Sequence, residues 1–325
     1  MSKTTKVSAM AKFILCGEHF VVTGPSSVVI PASCFRTNVA LTECDGVSPN
    51  SPCSIEASCA FDIEQPLSHD GIRHLESTVV DLAETAMMWL GIDSRGKNLR
   101  LEVKSTIPPS QGAGSSSAIC RAVIDVFVKH FLLGERTTPE YALFLGKMLE
   151  THLHGDVSGI DNAAVAYETP LCYQKGFKPE PFQFSQPTFF VVGSTGKRTG
   201  KSPYDVFRDY KTHQPLVYKA NCDTIDEFSP ILAENLRIGN FIESGRIMNE
   251  THEILRTIGL STPKCEAAID SALKIGAFGA KMTGAGCGGF VIALTPLSLV
   301  EKIQRAWIER GLTNVRCLQF LGANG

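Results

Sequence analysis

The run Pro108-Pro109-Ser110-Gln111-Gly112-Ala113-Gly114-Ser115-Ser116-Ser117-Ala118 joins an alternating segment, Leu99 to Val103, to an apolar series at Ile119, Val123, Val126, Phe127 and Phe131. The pattern reads as strand, glycine-serine loop, amphipathic helix. Small residues let such a loop turn tightly and approach a ligand, and the N–H groups and positive dipole end of the following helix favour an anion. A nucleotide phosphate is the anion this arrangement suits best. Three consecutive serines and two spaced glycines are more than a plain turn requires.

Two carboxylates follow, Glu150 and Asp161. Thr138-Pro139 reads as the N-cap and first residue of a helix reaching about Leu153, with Gly155 just beyond it. Ser158 with Asp161 three residues later reads as a capping box opening the next helix, with Asp in place of Glu. Glu150 then lies near the end of one helix and Asp161 at the third position of the next, so the turn between them brings both carboxylates to one cleft.

Other groups invite rival readings. Thr195-Gly196-Lys197-Arg198-Thr199-Gly200-Lys201-Ser202 mimics G-x-x-x-x-G-K-[ST], but Gly196 leaves only three intervening residues and the correctly spaced position is Thr195. It is read as a basic, hydroxyl-rich loop reaching towards phosphate or substrate, with Ser202 a substrate-side candidate. His152-x-His154-x-Asp156 offers metal-ligand types, but at a helix end the imidazoles diverge and a zinc site is not expected. Cys287 among glycines is read as a small residue rather than a reactive thiol.

These residues need a scaffold of about two domains, from 325 residues at roughly 150 per domain. Ala11 to Cys16 and Phe20 to Val22 read as strands around a polar loop, and Val28 to Pro31 and Thr37 to Leu41 continue the β pattern. Asp45 to Pro52 is turn-rich, Gly71 to Gly91 has helical spacing, and Lys178 to Pro187 is the best boundary, dividing the chain into 1–184 and 185–325. Beyond it lie a strand at Phe189 to Val192, helices around Ser229 to Thr257 and Thr262 to Ile275, a glycine-rich loop at 284 to 289, a strand, and a helix near Leu297 to Arg310. The 31 basic against 33 acidic side chains give no field that would favour nucleic acid or an anionic membrane. Eleven cysteines without a C-x-x-C pair fit reduced thiols, and no apolar run is long enough to span a membrane.

Lys12-x-x-x-x-Gly17-Glu18-His19-x-Val21-Val22-x-Gly24, the loop Pro108 to Ala118, His154-Gly155-Asp156-Val157-Ser158-Gly159-Ile160-Asp161-Asn162, and Lys281-Met282-Thr283-Gly284-Ala285-Gly286-Cys287-Gly288-Gly289 resemble, in order, the motifs of the galactokinase, homoserine kinase, mevalonate kinase and phosphomevalonate kinase (GHMP) superfamily. The first and third are most similar to its mevalonate kinase branch. The resemblance implies a two-domain α+β GHMP kinase fold, with an N-terminal ribosomal-protein-S5-like domain, a C-terminal ferredoxin-like domain, and ATP and substrate in the cleft between them. It implies ATP-dependent phosphorylation of the primary hydroxyl of mevalonate, in isoprenoid and sterol precursor synthesis. Another acceptor of the superfamily, such as phosphomevalonate, homoserine or a sugar, or a catalytically inactive sensor, are the alternatives.

Carried over by position, the resemblance implies Asp161 as catalytic aspartate with Lys12 beside it, and Mg²⁺ on Ser116 and Glu150. Pro109, Gly112, Ala113, Gly114, Ser115, Ser116 and Ser117 are implied for ATP. Glu18, His19, Ser202, Thr283, Gly284 and Ala285 are implied on the substrate side. Ser110, Ala11 and Val157 depart from the family's usual Gly, Gly and Pro without removing a charge. A small-molecule partner, no nucleic acid and no membrane are expected. A homodimer stays open, and cytosol is the default location, with a peroxisome-like organelle as the alternative.

Overall fold

The structure is a computed structural model that describes residues 2–44, 48, 51–63, 66–132, 137–155, 157–198 and 200–322, with the backbone alone at Leu153 and His154. Asp156 and Thr199, like most of the turn-rich stretch 45–52, lie outside the described residues. The chain forms two compact units. The first gathers 1–11, 35–108 and 114–167, and the second 12–34, 109–113 and 168–325. The single boundary expected after residue 184 does not coincide with them. Two long strands, β1 (Thr4–Cys16) and β2 (Ser27–Glu43), leave one unit and continue in the other.

In the first unit, the later part of β2 pairs antiparallel with β4 (Asn98–Ser105), Thr37 opposite Ser105 through Glu43 opposite Leu99, and β3 (Ser54–Phe61) adds in parallel to β4. In β4, Leu99, Leu101 and Val103 are buried and their neighbours exposed, the period-two alternation of a strand with one wet face. Helices α1 (His69–Trp89), α2 (Ser115–Phe131), α3 (Pro139–His154) and α4 (Ile160–Tyr167) complete the unit. Thr138 caps α3 through the Tyr141 amide with Pro139 at its first turn, as the sequence predicts.

In the second unit, the early part of β2 pairs with β5 (Leu171–Tyr173), which pairs in turn with β6 (Glu180–Pro181). Pro31 falls between the β5 and β4 ladders of β2, where its missing N–H disturbs neither. A four-stranded antiparallel sheet runs β10-β7-β9-β8, from β7 (Thr188–Ser194), β8 (Gly279–Thr283), β9 (Phe290–Thr295) and β10 (Thr313–Phe320). Numbered within this sheet the order is 4-1-3-2, the ferredoxin-like arrangement. Helices α5 (Pro203–His213), α6 (Pro215–Ile238), α7 (Phe241–Ile258), α8 (Pro263–Ile275) and α9 (Val300–Glu309) accompany it. Trp307 of α9 is fully buried against α8, its indole N–H donating to the Ala268 carbonyl at 2.9 Å.

Three local expectations change. Phe20 to Thr23 is a short 3₁₀ turn and not a strand, because the left-handed Gly17 (φ 99°) and His19 (φ 61°) turn the chain immediately before it. The helix expected around 229–257 is two helices: Gly239 in the αL conformation ends α6, and the Asn240 side chain caps α7 through the Glu243 amide. Asp161, expected at the third position of its helix, stands at the second. The left-handed Gly159 (φ 83°) lets α4 begin at Ile160, whose amide donates to the Ser158 hydroxyl at 3.4 Å, and Asp161 becomes the second helical residue.

Candidate active site

The first unit builds a carboxylate cage around Glu150. Gly114 holds the left-handed conformation (φ 77°) that opens α2, placing Ser115, Ser116 and Ser117 in its first turn. Ser117 is buried and donates its hydroxyl to Oε1 of Glu150 at 2.8 Å, while Asn162 of α4 donates its amide to Oε2 at 2.6 Å. Three helices therefore fix one carboxylate that is only 8% exposed. Gly146 makes room for this cage, since a Cβ there would stand 3.2 Å from Oδ1 of Asn162. Ser116, beside Ser117, is half-buried and reaches the Cys120 thiol one turn on. Asp161, beside Asn162, is half-buried in the first turn of α4.

Ser117, expected among the phosphate contacts, is thus committed to Glu150; a buried carboxylate needs such donors. The set fits magnesium. It offers a carboxylate and a hydroxyl, hard oxygen donors of the kind that hold this ion together with phosphates and water. Among the described residues no group of three His, Cys, Asp or Glu side chains is placed to hold a metal, and His152 is exposed.

In the second unit, the loop 109–113 is locked by backbone contacts. The Ser194 hydroxyl donates to the Gln111 side-chain carbonyl, and a Cβ on Gly289 would come within 2.5 Å of the Gln111 backbone oxygen. A Cβ on Gly284 would come within 2.9 Å of the Gly112 Cα, so the two glycine loops touch backbone to backbone. Glycine at 112 and 284 is required by this packing as well as by the positive φ of each (86° and 84°). Lys12 is bound to the same loop twice: its amide donates to the Ala113 carbonyl at 3.1 Å and its Nζ to the Gly112 carbonyl at 3.2 Å.

The residues expected on the substrate side differ in what the fold gives them as partners. His19 is half-buried, stacks on Phe207 with ring centroids 4.8 Å apart, and places Nε2 2.7 Å from the Ala285 carbonyl. A carbonyl only accepts, so Nε2 carries the proton and Nδ1 is the acceptor nitrogen. Burial pulls the imidazole down to about 4 from an ordinary 6.5, and the nearby Arg198 adds to the fall, so His19 is neutral at physiological pH. A neutral acceptor nitrogen suits a hydroxyl, not a carboxylate. Thr283, by contrast, is buried and spends its hydroxyl on Ile14, accepting from the amide and donating to the carbonyl, both at 2.9 Å. Glu18 is 1% exposed, its Oε1 on the Lys281 ammonium. Both were expected to face substrate, and both support the loops instead. Ser202 is exposed just before α5.

Arg198 carries a signal the sequence shows only as part of a basic loop. Its Nε is buried with no hydrogen-bond partner among the described residues, beside His19 and Cys287. The surrounding loop is no P-loop. The Thr195 amide donates to Gly289 (2.8 Å), the Gly196 amide to Ser194 (3.0 Å), and Gly196 accepts from the Gly289 amide (3.0 Å), so its first peptide units are spent within the protein. Lys201→Ala, at an exposed position, is therefore expected to leave KM for ATP within about twofold of wild type, as a surface change remote from buried networks should. A loss of nucleotide binding by calorimetry would restore the P-loop reading.

His19 also predicts an acid sensitivity. Its folded value lies below its ordinary one, so the unfolded chain binds more protons between them. The stability His19 contributes is present above about pH 6.5 and lost as pH falls towards 4. His19→Asn should flatten that part of the Tm-against-pH curve; an identical curve in the variant would refute the assignment. All eleven cysteines are free thiols, with Cys287 buried at φ 57° and its thiol pushed up by burial. No described helix is long and apolar enough to cross a membrane.

The family model of the GHMP kinase N-terminal domain matches residues 77–169, and that of the GHMP kinase C-terminal domain matches 232–312. A mevalonate kinase from Thermococcus gammatolerans is 31% identical over 309 residues, covering 89% of this chain and 88% of the relative. One from Thermococcus onnurineus is 32% identical over 305 residues, with 89% and 88% covered. Among solved structures, the L. major mevalonate kinase in complex with R-mevalonate superposes with a TM-score of 0.79 at 24% identity, covering 99% of this chain and 97% of the other. The chain belongs to the GHMP kinase family, and its similarity runs to the mevalonate kinase members of that family.

Proposed function

We propose that this chain transfers the γ-phosphoryl group of ATP to the primary hydroxyl of mevalonate, giving 5-phosphomevalonate. The observation that carries the phosphoryl-transfer reading is the Glu150 cage, a buried carboxylate fixed by Ser117 and Asn162 with Ser116 and Asp161 as their chain neighbours. Mevalonate as acceptor is supported by the similarity to curated mevalonate kinases over nine-tenths of the chain. The family models fall on either side of residue 184, which supports an N-terminal domain over 1–184 and a C-terminal domain over 185–325.

In this reading Glu150 and Ser116 would hold Mg²⁺. Pro109, Gly112, Ala113, Gly114 and Ser115 would present backbone N–H groups or close-approach surface to the phosphates of ATP. When bound, ATP with Mg²⁺ supplies the phosphoryl group and neutralises the charge on it. Asp161 would accept a hydrogen bond from the acceptor hydroxyl, orient its lone pair towards the γ-phosphorus, and take its proton as the new P–O bond forms and the bond from that phosphorus to the β–γ bridging oxygen breaks, releasing ADP. Lys12, held on the Gly112 carbonyl, supplies positive charge as negative charge builds on the transferring group. His19 receives a substrate hydroxyl on Nδ1, and the buried Nε of Arg198 is the donor for the substrate carboxylate. Ala285, whose carbonyl holds the His19 ring, would line the substrate side together with Gly284 and Ser202.

ADP release measured with mevalonate, phosphomevalonate, homoserine and galactose tests this. Mevalonate should exceed the others in kcat/KM by about 100-fold or more, since buried groups left without their partners discriminate strongly. A better rate with another acceptor reassigns the substrate, and no ADP release with any overturns the enzyme reading.

A further inference from the structure

Three charged side chains of the second unit share its interior around the end of β1. Glu18 is 1% exposed, Lys281 of β8 is fully buried, and Lys12 of β1 is 2% exposed. Lys281 donates to Oε1 of Glu18 and to the Met282 carbonyl, the latter at 2.6 Å. Oε2 of Glu18 is buried with no hydrogen-bond partner among the described residues. The same carboxylate also feels the Lys12 ammonium, which donates to the Gly112 carbonyl. One carboxylate is thus held by one ammonium group and feels the charge of a second. A buried carboxylate has to be paired or neutralised. Deprived of Lys281, Glu18 has two options: to take a proton, or to turn its unsatisfied oxygen to Lys12.

We propose that Lys281 is a positioning residue for phosphoryl transfer: by clamping Glu18 it keeps that carboxylate from drawing the Lys12 ammonium off the Gly112 carbonyl. The inference rests on the role given to Lys12 above. Glu18 is the hinge of the device. Burial raises its carboxyl group while Lys281, and more weakly Lys12, oppose the rise. The other titratable groups nearby are Cys16 on β1, which feels both Glu18 and Lys281 and whose thiol burial pushes up to about 11, and His252 on α7, which feels Lys281, is lowered by burial and faces Glu266 of α8. His19 follows it in the chain and is neutral.

The test compares Lys281→Met, Lys281→Arg, Lys281→Met/Glu18→Gln and Lys12→Met by kcat at saturating ATP and mevalonate from pH 5.5 to 8.5, each with a thermal melt. Lys281→Met is expected to lose about 10- to 100-fold in kcat at pH 7.5, the scale of a misplaced catalytic group. Part of the loss should return as pH falls, because a protonated Glu18 no longer competes for Lys12. Lys281→Arg should retain most activity, and adding Glu18→Gln should raise kcat at least about tenfold over Lys281→Met alone. If Lys281→Met does not fold, Lys281→Gln, which keeps a donor but no charge, takes its place. A lowered Tm with kcat and pH profile unchanged makes the pair structural and overturns the inference. So does failure of Glu18→Gln to rescue when Lys12→Met is inactive. Near wild-type turnover in Lys12→Met instead overturns the role of Lys12 itself.

Discussion

Asp161→Asn should lower kcat by roughly 10²- to 10⁴-fold while leaving KM for the acceptor and the melting temperature close to wild type. The reason lies in what the substitution keeps. Asp161 is the second residue of α4, half-buried, next to the Asn162 that holds Glu150. Asparagine preserves its shape and most of its hydrogen bonding, and is itself well tolerated at helix starts, so α4 and the Glu150 cage should persist. It loses the charge that orients the acceptor hydroxyl and the basicity that takes its proton. Were Asp161 only a helix-start residue, Asp161→Asn would turn over normally and Asp161→Ala would cost about 0.5–2 kcal/mol of stability. Steady-state kinetics with a melt separates the cases, and near wild-type turnover in a normally folded Asn variant removes Asp161 from the chemistry.

Glu150→Gln should act on metal and fold together. Its two carboxylate oxygens accept from Ser117 and Asn162, so an amide NH₂ there sets donor against donor and should cost about 1–3 kcal/mol. Turnover should fall by about 10²- to 10³-fold, and the Mg²⁺ titration should shift to higher concentration, because charge neutralisation at the transferring group is lost. Ser116→Ala should move the titration in the same direction with a smaller change in Tm, since Ser116 is only half-buried. Unchanged magnesium dependence in both variants would sink the metal assignment, whatever happens to stability.

The sequence by itself determined the local devices. The alternation of Leu99, Leu101 and Val103 makes β4, Thr138-Pro139 opens α3, and Gly114 before three serines opens α2, because each depends on backbone conformation and neighbours a few residues away. It also placed Ser116, Glu150 and Asp161 on those elements, and the order of its motifs carried the family. Only the tertiary structure decided which polar groups hold another residue in place. Ser117, Thr283 and Glu18 share the residue types of binding groups, yet their partners Glu150, Ile14 and Lys281 lie 33, 269 and 263 positions away. No local pattern encodes such pairs, because desolvation makes a buried hydroxyl or carboxylate take whatever partner long-range packing delivers. The glycines at 112 and 284 are legible as loop formers, but their contact with each other is not. The two compact units likewise interleave along the chain because β1 and β2 are long enough to run through both, a consequence of strand pairing that composition shifts near residue 184 do not record.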